Sequence, residues 1–425
     1  MSFQTGLSGL NASSRGLDVI GNNIANANTV GMKSSRAEFA DIVASSLGAG
    51  GASGNGIGVT LATISQQFTQ GNVNITGNSL DVAINGGGFF QVTKTNGSTG
   101  YTRDGQFKLD KDGNLLTNTG AFVMGYPTDL TGAATSITPG KITLPTGAPI
   151  PANPTSAIVA EFNLDARAKD ATQAVAAGLT PAPRSTYGTS ISVFDQQGVS
   201  SPANLYFVKT DGVINSWDVF TGIDGVPVGS TYASIGQIVF DTAGQVTAPL
   251  LASGKVGLTI AAGTIPSNNP NETTGFLTQP IDVDLGSVTQ FGANFSVTNL
   301  SQDGYTAGEF TSLNIDGKGI ISTTYSNGQT LKTGGMIALA DFRNLQGLSP
   351  IGSGEFLETF KSGPVILGQP GVGKFGELRA GAVEESNVDL TSELVNMMTA
   401  QRNYQANAQT IKTQDQIMST LVNLR

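Results

Sequence analysis

The two ends of this chain are written in the same seven-residue period, and that shared period constrains the fold more than any other feature. Phe3, Leu10, Leu17 and Ile24 recur every seven residues, with Leu7, Ser14 and Gly21 between them at the 4-3 spacing. At the other end Leu390, Met397, Tyr404, Ile411 and Met418 repeat the period, with Leu394, Gln401, Ala408, Asp415 and Val422 as the companion line. This spacing turns one stripe of a helix toward a partner. Residues 388–424 contain no glycine or proline, which predicts one rod about 55 Å long at ~1.5 Å per residue. Ser386 or Asn387 is the expected N-cap, with Asp389 and Glu393 in the early turns.

The ends therefore read as partners. An intramolecular pair that only ties the termini together is one outcome. Two helices bury a narrow seam, however, and Leu7, Leu394, Met398 and Leu421 leave apolar surface beyond it. Many copies in a bundle would cover that surface. The residues expected to pack such a polymer are Phe3, Leu7, Leu10, Leu17, Ile24, Leu390, Leu394, Met397, Tyr404, Ala408, Ile411, Met418 and Val422.

Between the ends the texture is β. Glycine is 56 of 425 residues and shows no three-residue repeat, which points to turn-rich sheet rather than a fibrous helix. Residues 31–71 are rich in Asn, Gly and Ser and read as an extended linker, with Gly48, Gly50, Gly51 and Gly54 as its pliant link. From residue 72, segments such as LDVAINGGGFFQVT alternate like strands between Asn-Gly, Asp-Gly and Gly-Gly turns. A second set of short strands fills 158–284, and the first texture returns after it. The expected fold is mainly β with terminal α-helices. Its domains are nested: 1–30 with 386–425 (helical, coiled-coil-like), 72–157 with 285–385 (discontinuous β), and 158–284 (an inserted outer β domain).

Charge and side-chain chemistry narrow the function. Only 12% of residues are charged, and the net charge is −9. Each end sums to zero, so the acidic excess sits in the middle and no basic stripe exists to bind nucleic acid. Low charge favours a subunit that hides surface in an assembly. Histidine and cysteine are absent, which removes Ser-His-Asp chemistry, thiolate nucleophiles and the commonest metal ligands. No Ser-x-x-Lys dyad occurs. No apolar run reaches the ~20 residues of a membrane helix. The start, MSFQTGLSGLNASSRGLDVIGNN, lacks a basic region followed by an apolar core, so any export is expected to use no cleaved signal.

Several motifs imitate chemistry. Gly371 to Gly376 fits G-x-G-x-x-G and Gly368 to Lys374 fits G-x-x-x-x-G-K, but Phe375 stands where a phosphate loop needs Ser or Thr, and Gly376 and Gly381 oppose a following helix. Asp110-Lys-Asp112-Gly-Asn114 opens like a calcium loop, but Leu115 and Ala121 replace its Gly and Glu, so a hairpin turn is expected. Gly86-Gly87-Gly88 before Phe89 is read as close strand packing. Trp217 is read as core of the inserted domain, with carbohydrate stacking as the minor reading. Asp282 and Asp284 are the closest carboxylate pair, with nothing else converging on them. No catalytic residue, cofactor or metal site is expected, and the chain reads as a non-enzyme. The reading from another class is an adhesive carbohydrate-binding β protein that dimerises through its end helices.

The end motifs also carry a resemblance. The run NNIANANTVGMKSSRAEF (Asn22–Phe39) is similar to the N-terminal signature of flagellar axial proteins, and ESNVDLTSELVNMMTAQRNYQANAQTIKTQDQIMSTLVNL (Glu385–Leu424) to their C-terminal signature. LDVAINGGGFFQV and YTRDGQFKLDKDGNLL resemble interior segments shared by hook and distal-rod proteins. The chain is identified on these runs as a member of the flagellar rod and hook axial family. The extra segment 158–284 points to the hook branch, with a distal rod or hook–filament junction subunit as the alternative. The resemblance implies a structural protein of motility that self-assembles as a helical homopolymer into a flexible, curved, hollow tube, a universal joint between rod and filament. It implies as partners the distal rod protein, a hook cap, the hook–filament junction protein and the flagellar type III export apparatus. It places the chain at the hook of the basal body, extracellular, with no membrane insertion.

Overall fold

The computed structural model describes residues 2–43, 56–145, 149–168, 187–210, 213–223, 226–227, 234–251, 253–265, 275–277 and 279–423. The chain forms two compact units. Met1–Gly147, Ser312–Thr324 and Thr330–Arg425 make the first, and Ala148–Thr311 with Tyr325–Gln329 make the second. Residues 285–311 thus fold with the second unit. The fold is mainly β, with long helices only at the chain ends, as the patterning predicts.

In the first unit, α1 (Ser2–Ala25) and α2 (Leu390–Asn423) flank a β body. The body closes on itself through strands far apart in sequence. Glu377–Ala380 pairs antiparallel with Val82–Asn85, and Ala382–Glu384 with Val73–Ile75. The C-terminal stretch before α2 therefore fills places beside early strands. Phe89 and Phe90 are both buried. Neighbouring residues on a strand point to opposite faces, so this sheet is covered on both sides. Phe89 meets Phe68 edge to face at 5.7 Å and Phe356 at 5.9 Å, while Phe90 meets Phe107 at 5.1 Å. Residues 31–71, read as a linker, carry a long hairpin instead. Ser35–Val43 pairs antiparallel with Gly56–Gln66. An isolated two-stranded ribbon is marginal, and this one rests on α1. Ser8 Oγ accepts from the Val59 amide at 3.3 Å, and the Phe39 ring reaches Gly16.

The second unit packs two sheets over one core. One runs in the order 187–194, 200–209, 216–223, 234–240, 246–248, and the other centres on Ala157–Asp165. That central strand pairs parallel with Ile281–Asp284 and antiparallel with Ser296–Gln302. Ile158, Phe162, Phe207, Trp217 and Val283 are buried between them. Trp217 is fully enclosed beside Tyr187, so its ring presents no face to a sugar. Asp282 accepts from Thr259 Oγ1 at 2.9 Å and Asp284 from Lys255 Nζ at 3.2 Å. Each acid is thus tied to its own neighbour.

One turn recurs through both units. Asp110, Asp129, Asp195, Asp241 and Asp316 each accept, through Oδ1, the amides two and four residues on. A glycine closes each turn three residues after the Asp, and its amide donates to the Asp carbonyl. The 110–114 motif is such a turn, between the paired strands Phe107–Leu109 and Leu115–Thr117. The Gly368–Gly376 stretch leads into the strand Glu377–Ala380, not a helix, and the Phe375 ring lies against Gly368. That contact leaves no cradle for a phosphate.

Candidate functional site

The candidate functional surface is built by the two helices and the residues that root them. They run antiparallel. Gly6 lies against Ile411, Gly9 against Asn407, and Asn23 against Glu393. A Cβ on Gly6 would sit 3.2 Å from Ile411 Cγ1, and one on Gly9 would sit 2.9 Å from Asn407 Nδ2. Small residues on α1 therefore set a close approach.

This contact places the expected residues unequally. On α2, Met397, Ala408 and Ile411 are half-buried, while Leu390, Leu394, Tyr404 and Met418 are exposed. On α1, Leu10, Leu17 and Ile24 are half-buried and Leu7 is exposed. The side chains of Phe3 and Val422, and the glycines Gly48, Gly50, Gly51 and Gly54, lie outside the described residues. Beside the Met397–Ile411 line, the α2 residues turned inward are Glu393, Ala400, Asn407 and Gln414. That is one position before the companion line read from the sequence. The period was legible, but apolar bulk does not mark this line, because glycine faces it.

The helical layer is open. A cleft of about 660 Å³ remains between α1, α2 and the hairpin, lined by Ala12, Gly16, Val19, Phe39, Ala400 and Asn407. On the outside of α2, Leu394, Val395 and Met398 are each about half exposed (51%, 52% and 53%). No described helix is long and apolar enough to cross a membrane.

At the root of both helices lies a buried ionic cluster that the sequence reading did not identify. Lys33 Nζ donates to Glu384 Oε1 at 2.6 Å, and Arg103 Nη1 to Glu384 Oε2 at 2.9 Å. The side chains are 1%, 5% and 0% exposed for Lys33, Arg103 and Glu384. The Gly71 amide also donates to Glu384 Oε1 at 2.9 Å. Lys33 Nζ donates to the Thr69 carbonyl and Arg103 Nη2 to that of Gly86. The Arg103 guanidinium lies 5.2 Å from the Phe89 ring centre. Burial pulls the Lys33 ammonium below its ordinary pKa, and Glu384 opposes that shift. The Gly31 amide donates to the Glu384 carbonyl at 2.8 Å. Gly31 has φ +70°, and a Cβ there would sit 2.5 Å from the Asp104 nitrogen. Only glycine lets the N-terminal segment pass this close to Arg103.

One asparagine braces the cluster. Asn387 Oδ1 accepts from the Ser34 amide at 2.7 Å, and its Nδ2 donates to the Gln67 carbonyl at 2.7 Å and Thr69 Oγ1 at 2.8 Å. With Asn387 so engaged, the N-cap of α2 is Asp389, whose Oδ1 accepts from the Thr391 amide at 2.9 Å. Neither Ser386 nor Asn387 caps the helix.

Known proteins resemble the chain along its whole length. Residues 3–33 match the family model "Flagella basal body rod protein", and 83–161 the model "Flagellar hook protein FlgE/F/G D1 domain". Residues 163–305 match "Flagellar basal body protein FlaE D2 domain", and 379–424 "Flagellar basal body rod FlgEFG protein C-terminal". The chain is 40% identical to the flagellar hook protein FlgE of Escherichia coli K12, covering 100% of both chains. It is also 40% identical to that of Salmonella typhimurium, again over 100% of both, and 32% identical to that of Treponema pallidum over 100% of this chain and 99% of the relative. The crystal structure of Helicobacter pylori flagellar hook protein FlgE2 aligns with a TM-score of 0.53 at 15% identity, over 73% of this chain and 100% of that one, a likeness of fold alone.

Proposed function

This chain belongs to the flagellar hook protein family, and from that membership we propose that it polymerises through its terminal helices into the curved, hollow, flexible tube of the hook. The observation that supports this most directly is the outer face of α2. Leu394, Val395, Met398 and Ile417 stand exposed on one helix, although α1 already covers the opposite side. Apolar surface on that scale marks an interaction site. Burying it against the next copy at ~25 cal/mol per Å² offsets the ordering of the end segments. Head-to-tail contacts that do not close give a helical filament. The seam residues Leu10, Leu17, Ile24, Met397, Ala408 and Ile411 then hold each subunit's own pair. Leu7 and Tyr404 extend the surface offered to neighbours.

In this reading the segments 1–30 and 386–425 form the layer through which copies pack. The polymer joins the distal rod protein to the hook–filament junction protein under a cap. It is exported by the flagellar type III apparatus, works outside the cell, and performs no catalysis.

The test is polymerisation by a salting-out salt, imaged by negative-stain electron microscopy, for the wild-type chain and for Leu394→Ser with Met398→Ser. Curved tubes from the wild type and monomers from the double variant are the expected result. Straight tubes would favour a rod or junction subunit. Equal assembly of both proteins would sink the role of this face.

A further inference from the structure

Among the described residues, Glu384 is the one carboxylate shared by two cations that come from distant parts of the chain. Lys33 lies 351 residues away and Arg103 281. Lys33 belongs to the segment that leads from α1 into the hairpin. Arg103 belongs to the β body, and Glu384 ends the strand that leads into α2. The three meet where solvent does not reach. We propose that Glu384 couples the two ends, so that the roots of α1, the hairpin and α2 dock on the body in one all-or-none event.

The argument rests on charge in a buried place. An unpaired buried ion is strongly unfavourable, and removing one partner of a buried pair leaves such an ion behind. Without the Glu384 carboxylate, two cations would share this interior with only carbonyl oxygens as partners. The N-terminal root can keep its place only while Glu384 is seated, and Glu384 is seated only when its strand pairs with Val73–Ile75. Backbone bonds tie the same points. The Gly31 amide reaches the Glu384 carbonyl, and the Glu385 amide reaches the Asn72 carbonyl, both at 2.8 Å. The cluster is asymmetric. Losing Lys33 leaves Glu384 paired with Arg103, whereas losing Glu384 strands both cations.

That asymmetry gives the test. Hydrogen exchange on the full-length chain follows peptides covering 26–34, 67–73 and 381–390. Glu384→Gln is expected to raise exchange in all three by a common factor, on the order of a hundredfold or more. Lys33→Met is expected to raise it in 26–34 alone. Trp217 fluorescence reports that the second unit stays folded. Should Glu384→Gln fail to fold, Glu384→Asp keeps the charge but is one methylene too short to reach both cations. It should give the same correlated opening at a smaller factor. Faster exchange confined to 381–390 in either Glu384 variant would overturn the proposal. So would Lys33→Met opening all three peptides alike.

A consequence for assembly rests on the polymer reading above. Glu384→Gln subunits should need a higher concentration to polymerise, since their end segments open more often. If the wild-type chain forms no polymer, that reading fails, and the exchange result still decides the coupling.

Discussion

Asn23 on α1 and Glu393 on α2 are hydrogen-bonded at 3.2 Å across 370 residues of chain. The same Asn23 side chain donates to the Ser35 carbonyl at 2.8 Å and accepts from the Ser35 amide at 2.9 Å. One buried amide thus fixes both helices and the first hairpin strand. Asn23→Ala strands the Ser35 amide without a partner, and an unsatisfied buried group costs ~1–3 kcal/mol. A loss of about 2 kcal/mol is expected, read as a lower urea midpoint of the helical signal at 222 nm with an unchanged slope. An unchanged midpoint would mean that water replaces the amide.

The two residues before and at the start of α2 should separate by mutation. Asp389→Ala removes only a cap, worth ~1 kcal/mol, and should fray the first turn of the helix. Asn387→Ala removes bonds to Ser34, Gln67 and Thr69 together and should destabilise more. Thermal unfolding of both variants orders them. Equal or reversed losses would contradict the assigned roles.

Acid should weaken the Asp-x-x-Gly turns. The Asn114 side chain beside Asp110, and the Thr131 hydroxyl beside Asp129, hold these carboxyls below the usual carboxylate range. A lowered folded pKa stabilises above the unfolded value and is lost as pH falls through the folded one. The loss therefore lies below about pH 4. Asp110→Ala should lower stability near neutrality and flatten the acid limb of a stability profile. A variant with the wild-type acid limb would show that the turn carries none of this dependence.

Trp217 is the sole tryptophan and is fully buried in the second unit. Its emission should be blue-shifted in the native protein and report that unit alone. Trp217→Ala should cost ~3–5 kcal/mol by cavity formation, lowering the melting temperature of the second unit. A native emission maximum like that of free tryptophan would refute the burial.

The heptads at the ends were legible because Met397 and Ile411 are apolar and regularly spaced. The companion line was not, because its contact is Asn407 against Gly9, where close approach replaces bulk. The hairpin at 35–66 was hidden by a glycine-rich stretch of sequence that reads as linker, although Arg36–Val43 does alternate weakly. Lys33, Arg103 and Glu384 escaped notice for another reason. Each lies in a separate part of the chain, and only the paired strands 73–75 and 382–384 bring the first and last within reach. Family likeness pointed to the runs around them but not to their partnership.

The second unit begins and ends side by side. Ile150 pairs with Gly308 and Asn153 with Tyr305, so its entry and exit strands lie together. For the rest of the chain, this long excursion spans no more distance than a tight turn. Such a part is exchangeable. Evolution or design can enlarge, shrink or replace it while the closing strands and the buried cluster keep their register, so the bulk a subunit carries there is set independently of how its ends are held.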